Sequence, residues 1–346
     1  MPLPFLRLVV CISALVTLLA ACSKPAAPNF LLQGETMGTT YNITVVLDEG
    51  EEIDQQAAEQ LGAEVDGLLS VFNQIASTYI ENSELNQLNR LPVGAPVTIS
   101  HTLHELLLLS LEVSWLSNGG FDITVAPLVN LWGFGPDKSN AGSVPSAEQI
   151  AAAKKQTGFK HIQLDMLDPE IEKRASIQMD LSAIAKGFAV DQIASLLERR
   201  GYQRFLVEVG GELRLKGLNP DGTQWRLAIE KPDPRGRSIA QIISVSDQAV
   251  ATSGDYRNYF EKDGKRYSHT IDPRTGYPIA HNLASVTVIA NTAGFADGMA
   301  TALNVLGEKE ALAVAEDLEL AAFLIVKTSD GFKTLHSTAF EPFLVQ

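Results

Sequence analysis

The residues of this 346-residue chain best suited to chemistry gather between Thr252 and Ile279. That stretch holds Asp255, Arg257, Arg266, His269, Asp272 and Arg274, punctuated by Gly254, Gly264, Gly276, Pro273 and Pro278, and it joins two apolar, strand-like segments. Both signs of charge, tyrosines and a histidine in one connection suit a site presented by a rigid scaffold. A long, solvated hairpin is the plain alternative. Further along, Asp297 and Thr301 are four apart on an expected helix and so share a face. A carboxylate and a hydroxyl there are hard-oxygen ligands for Mg²⁺ or Ca²⁺, although Asn304 and Glu308 extend the same stripe as a solvated face would. Lys186 sits about one turn into a helix whose start is rich in small residues, where free amides and the helix dipole favour an anion such as a diphosphate. The rival there is an amphipathic helix with tightly packed alanines and an exposed lysine. Asp122 is wedged between two apolar runs, where a carboxylate is costly to bury without a donor. It either caps a turn or receives a hydrogen bond from a ligand.

These groups need elements to position them. Phe30 to Leu47 reads as paired strands, with Tyr41, Ile43 and Val45 alternating against polar neighbours and Met37-Gly38-Thr39-Thr40 as a small turn open to close approach. Asp54 to Ile75 is helical, with Leu61, Val65, Leu68, Leu69 and Phe72 on one face. Tyr79, a packed edge residue or a ligand contact, leads into the short polar helix SELNQLNR. Ser100 caps a helix that stops at Asn118-Gly119-Gly120 and is apolar almost all round, which predicts a buried helix. Ser146 and Gln149 have capping-box spacing for a helix ending near Gly158. The run from Met179 to Asp191 enters a helix that stops at Gly201. Strands follow from Arg204, where Gly210-Gly211 suggests a bulge or a close backbone approach. A strand at Leu283–Ala290, a helix capped by Thr292 and a hairpin turning at Ser329-Asp330-Gly331 complete the chain. With no internal repeat and no interdomain linker, the pattern predicts one compact α+β unit over residues 30–346.

Composition limits the function. The formal net charge of −14 argues against nonspecific nucleic-acid binding, since phosphates would be repelled. Cys11 and Cys22 are the only cysteines, so the body has neither a disulfide staple nor a cysteine metal cluster. Arg7 and the apolar run after it, too short for a convincing span, read as a secretory signal over residues 1–21. Leu19-Ala20-Ala21-Cys22 resembles a bacterial lipobox, which implies a mature chain beginning at a lipidated Cys22, anchored by several acyl chains, with residues 22–29 as tether. An ordinary signal peptide with an incidental cysteine is the alternative.

Seven motifs in order, MGTTY, GGFDITVAPLVNLWGFG, MDLSAIAKGFAVD, VEVGGE, TSGDYRNYF, YSHTIDPRTGYP and ADGMATAL, resemble the ApbE family of FAD:protein FMN transferases. The resemblance spans Met37 to the final hairpin and implies a single ApbE-like, T-fold-related domain of mixed helices and mostly antiparallel sheet. It implies that FAD is split at its pyrophosphate and FMN passed to a threonine or serine hydroxyl of a target protein, releasing AMP. Mg²⁺ or another divalent cation would be required, held by Asp297, Thr301 and the Ala183 carbonyl. Asp180, Lys186, Met37, Tyr79, Gly120-Phe121-Asp122 and Ile271 would hold FAD, with Lys186 near its phosphates, and His269 would be the base. The other histidines, His101, His104, His161, His281 and His336, match no motif. Implied acceptors are flavoprotein subunits of sodium-pumping quinone reductase or Rnf-type complexes, and the implied location is the periplasmic side of the inner membrane, without nucleic acid. An FAD pyrophosphatase and a non-catalytic flavin-binding lipoprotein are the rival readings.

Overall fold

The computed structural model describes residues 26–345 apart from 53, 234, 235, 237 and 255–257. The expected signal peptide, Cys22, Asp255 and Arg257 therefore lie outside the described residues. The body is built on a sheet that starts with β1 (Asn29–Thr36) and β2 (Thr39–Val46). Three short strands, β3 (Val97–Thr98), β4 (Ile162–Leu164) and β5 (Glu170–Lys173), form a separate small sheet. Then come β6 (Phe205–Val209), β7 (Glu212–Lys216), β8 (Trp225–Glu230), β9 (Ile239–Val245) and β10 (Ala249–Gly254). Two small hairpins, β11 (Tyr259–Lys262) with β12 (Lys265–Ser268) and β13 (Ile271–Asp272) with β14 (Tyr277–Pro278), precede β15 (Leu283–Ala290), β16 (Ala321–Thr328) and β17 (Gly331–His336). The main sheet has eight strands in the order β1-β2-β6-β7-β10-β15-β16-β17, and all its pairings are antiparallel.

The helices are α1 (Gln55–Ala76), α2 (Glu84–Arg90), α3 (His101–Leu116), α4 (Ala126–Leu131), α5 (Ala147–Lys154), α6 (Ala185–Arg199), α7 (Ala293–Leu306) and α8 (Glu308–Asp317). One face of the sheet packs α1, α3, α6 and α7 into the main core, where Val65, Leu106, Ile193 and Met299 meet Ile43, Val207 and Val288. The other face is covered by the β8–β9 hairpin and the final turn, through Trp225, Ile243 and Phe340 against Leu215, Val250 and Phe323. Cover on both sides explains why β15 buries seven consecutive residues instead of alternating. A third, smaller cluster of Leu128, Trp132, Ile150 and Ile271 sits beneath the charged loop.

Several local expectations are corrected. Gly210-Gly211 is not a bulge: Val209 pairs with Glu212, so the two glycines are the whole turn, with φ of 60° and 105°. Positive φ at both central residues matches the twist of a two-residue hairpin, and glycine takes it without strain. Helix α3 is not buried all round, because Glu105, Glu112 and Trp115 face out. The Thr252–Ile279 stretch is not one long hairpin but two short ones in succession. At the start of the described residues Ala27 donates to the Pro220 carbonyl at 2.7 Å and Asn29 opens β1. Among the described residues no helix is long and apolar enough to cross a membrane.

Candidate active site

The sheet and helices leave a cleft of about 460 Å³, within the size range of small-molecule sites. Its floor begins where α6 and α7 touch. A Cβ on Gly187 would run into the Ala293 carbonyl and lie 2.8 Å from the Asp297 Cβ, so only glycine lets the helices approach this closely. Thr292 provides no side-chain cap for α7. Asp191, reaching across from α6, accepts from Ala293 N at 2.9 Å and Gly294 N at 2.8 Å, filling the first free amides of the helix. The start of α7 is thereby fixed against α6, and Asp297 with it.

The contact has an electrostatic result. Gly187 N donates to Asp297 Oδ2 at 3.0 Å, while Lys186 Nζ lies 3.0 Å from Glu212 Oε1 and 3.6 Å from Asp297 Oδ2. Glu212 follows the Gly210-Gly211 turn, and a Cβ on Gly210 would press on Lys186 Cδ at 3.2 Å. Burial, and then the nearby Asp297 charge, push the Glu212 carboxyl up to about 8 despite Lys186. Burial also raises Asp297, against the pull of Lys186 and the Gly187 amide. Lys186 feels burial in the opposite sense, but Asp297 and Glu212 outweigh it and hold the ammonium above its ordinary pKa. Two carboxyls thus share one lysine in a low-dielectric floor. Glu212 Oε2 and Asn304 Oδ1 are buried there or nearby without a hydrogen-bond partner.

Asp297, Thr301 and Ala183 all line the cleft. Carboxylate, hydroxyl and carbonyl oxygens suit a hard cation such as Mg²⁺. No group of three or more His, Cys, Asp or Glu side chains assembles among the described residues, so this mixed oxygen set is the donor chemistry on offer.

The remaining lining comes from loops. Asp122 accepts from Thr124 N at 2.8 Å and Thr124 Oγ1 at 2.6 Å through Oδ1, and from Phe159 N at 2.9 Å through Oδ2. Its side chain therefore braces the turn that brings Gly120 and Phe121 to the cleft. Asp180 N donates to Ile123 O at 2.7 Å, tying that turn to the segment before α6. Asn89 of α2 pairs with both backbone groups of Met179, at 2.7 and 2.9 Å, and so anchors the same segment. Tyr79 stands at the cleft mouth and is 68% exposed. Ile271 lies on the wall, 5% exposed.

His269 is half-buried between β12 and β13 and lines the cleft. Its Nδ1 is 2.9 Å from the Asn258 carbonyl. A carbonyl only accepts, so Nδ1 donates to it, and in the neutral ring that tautomer places the lone pair on Nε2. Phe134 meets the ring edge-on at a centroid distance of 6.3 Å, in line with Phe260 and Tyr267. The other charges of this loop brace it. Asp272 binds Arg274 at 3.1 Å, and Arg274 reaches Glu310 of α8 at 2.9 Å.

The structure thus gathers His269, Tyr79, Gly120, Phe121, Asp122, Asp180, Ala183, Lys186, Ile271, Asp297 and Thr301 around one cleft. Met37 is the exception: it forms the β1–β2 turn with φ of 51° and does not line the cleft. The amides at the α6 start are not an open anion cradle either, because Asp297 occupies the Gly187 amide; α6 begins at Ala185, so Lys186 is in its first turn. Asn304 is fully buried, which removes the solvated-stripe reading of α7. Glu212, Asp191 and Asn89 went unrecognised in the sequence. Glu212 and Asp191 stand there only as the last residues of VEVGGE and MDLSAIAKGFAVD.

The fold and cleft define an antiparallel α+β enzyme whose buried charges face an accessible histidine. A family model for the ApbE family matches residues 37–324. The FAD:protein FMN transferase of Vibrio cholerae is 45% identical over 333 residues, covering 96% of this chain and 97% of its own. That of Haemophilus influenzae is 43% identical over 333 residues, covering 95% of each. Among solved structures, the flavin transferase ApbE from Vibrio cholerae superposes with a TM-score of 0.83 at 43% identity, over 92% of this chain and all of that one. An ApbE protein from Thermotoga maritima reaches 0.80 at 29% identity, over 92% of this chain and 100% of that one. The chain belongs to the ApbE family and is a transferase.

Proposed function

We propose that the chain is an FAD:protein FMN transferase that uses a divalent cation, Mg²⁺ by the chemistry of its donors. The observation that carries this reading is the pairing of a buried Lys186–Glu212–Asp297 floor with the base tautomer of His269 in one cleft. Asp297, Thr301 and the Ala183 carbonyl would hold the cation, which when bound supplies neutralising charge for phosphoryl transfer. Lys186 adds a positive charge for the diphosphate of FAD. Tyr79, the Gly120-Phe121 turn, Asp180 and Ile271 hold the rest of the donor. His269 Nε2 takes the proton of an acceptor threonine or serine hydroxyl. The acceptor oxygen then bonds to the phosphorus of the FMN half, the pyrophosphate P–O bond breaks, and AMP leaves with the bonding electron pair.

The acceptors we propose are membrane-linked flavoprotein subunits of the sodium-pumping quinone reductase or Rnf type. The lipobox-like Leu19–Cys22 run supports anchoring through a lipidated Cys22, with the enzyme facing the periplasm at the inner membrane. The test incubates the protein with FAD, Mg²⁺ and such a subunit, then follows acceptor-bound flavin fluorescence on a denaturing gel and the acceptor mass. An FMN-sized gain in mass that chelator abolishes supports the reading. Free FMN and AMP without a modified acceptor identify a pyrophosphatase, and intact bound FAD identifies a carrier.

A further inference from the structure

Lys186 already stands beside the carboxylate that a cation at Asp297 would share. Its ammonium lies 3.6 Å from Asp297 Oδ2, and that same oxygen accepts the Gly187 amide. A cation approaching Asp297 therefore meets a positive charge already in place, inside a floor where Asp297 is only 5% exposed. At such low dielectric the repulsion between the two charges is large unless the lysine shifts. Lysine has three donors on a flexible stem, so it can shift without leaving the cleft.

Glu212 is placed to receive it. Its Oε1 already holds Lys186 Nζ at 3.0 Å, and its Oε2 is buried without a hydrogen-bond partner. The residue is 4% exposed and lines the cleft. An unpaired buried carboxylate oxygen is expensive, and here it is the second oxygen of the group that already anchors the lysine. A carboxylate can accept an ammonium through both oxygens at once. The movement needed is a slide along one carboxylate. The Gly210-Gly211 turn holds Glu212 at this point through backbone pairing of β6 and β7.

We propose that Glu212 is a positioning residue that takes Lys186 over from Asp297 when a divalent cation binds, so that lysine and cation serve the diphosphate side by side rather than competing for one carboxylate. This rests on the reading of Asp297 as a cation ligand but is measured without turnover. In the handover Lys186 slides from Asp297 Oδ2 onto Glu212 Oε2, and no covalent bond changes.

The test titrates the purified protein with Mn²⁺ in the absence of FAD, following free Mn²⁺ by electron paramagnetic resonance, in wild type, Glu212→Gln, Lys186→Met and the double variant. With the handover, Glu212→Gln weakens Mn²⁺ binding by about tenfold, because Lys186 is left with Asp297 alone, while in the Lys186→Met background the same change costs about twofold or less. Glu212→Asp, which keeps the charge on a shorter stem, recovers part of the affinity. An equal or larger loss in the Lys186→Met background overturns the proposal, since Glu212 would then act on the cation directly by charge. A wild type whose Mn²⁺ binding is unchanged by Asp297→Ala overturns the cation site itself, a failure readable apart from the first.

Discussion

The floor of the cleft and its histidine wall are built in opposite ways. The floor sits where two helices touch, with Asp297 and Glu212 each about 5% exposed and the Gly187 amide and Lys186 ammonium already engaged. The wall is a half-buried histidine on a connection between short hairpins, backed by stacked aromatics and braced by Asp272, Arg274 and Glu310. The difference follows from the two partners of the reaction. On the proposed mechanism a diphosphate is stabilised by charges already in place before the chemical step, so they sit in the core. On the same mechanism a protein acceptor reaches the site from outside, which suits a histidine kept near the surface, on a loop that a rigid frame holds.

Substitutions on the two sides should behave differently. Asp297→Ala is expected to lower the rate of FMN transfer by about 10⁴-fold, the several kcal/mol a cation provides, and to abolish its dependence on added Mg²⁺. His269→Ala is expected to cost about 10³-fold with FAD affinity within about twofold of wild type, measured by quenching of flavin fluorescence. Equal loss of FAD affinity in both variants would erase the division of labour between floor and wall. Gly187→Ala tests the packing beneath the floor: the added methyl forces α6 from α7, and melting should fall by roughly 2–5 °C for the ~1–3 kcal/mol of overpacking. An unchanged melting curve would show that the helix contact is not tight.

The smallest expected effect concerns Lys173, which donates to the Asn89 carbonyl at 2.9 Å and so backs the residue that anchors Met179. Burial lowers its pKa from 10.5. For a lysine so depressed, the unfolded chain binds the proton more tightly, so stability rises as pH climbs through the folded value towards 10.5. The melting temperature of Lys173→Met minus that of wild type should accordingly decline by about 1–2 °C between pH 7 and pH 10. A difference that grows with pH would contradict the assigned burial.

Periodicity and turn chemistry carried much of the fold. Ser146 and Gln149 form the expected capping box, Ser100 caps α3, and the β1–β2 register keeps Tyr41, Ile43 and Val45 inward. Such signals are local, decided by residues within a turn or two of one another. The site was legible as residue types in motif order, and His269, Lys186, Asp297 and Thr301 do meet at one cleft. What the chain by itself determined was which elements form and which side-chain types are on offer for chemistry. Only the tertiary structure decided that Asp191 caps a helix 102 residues away, that Asp297 fills the Gly187 amide, and that Lys186 is shared between Asp297 and Glu212. Those contacts arise from two helices and a strand turn packed against one sheet, and no local pattern encodes a distance across that packing.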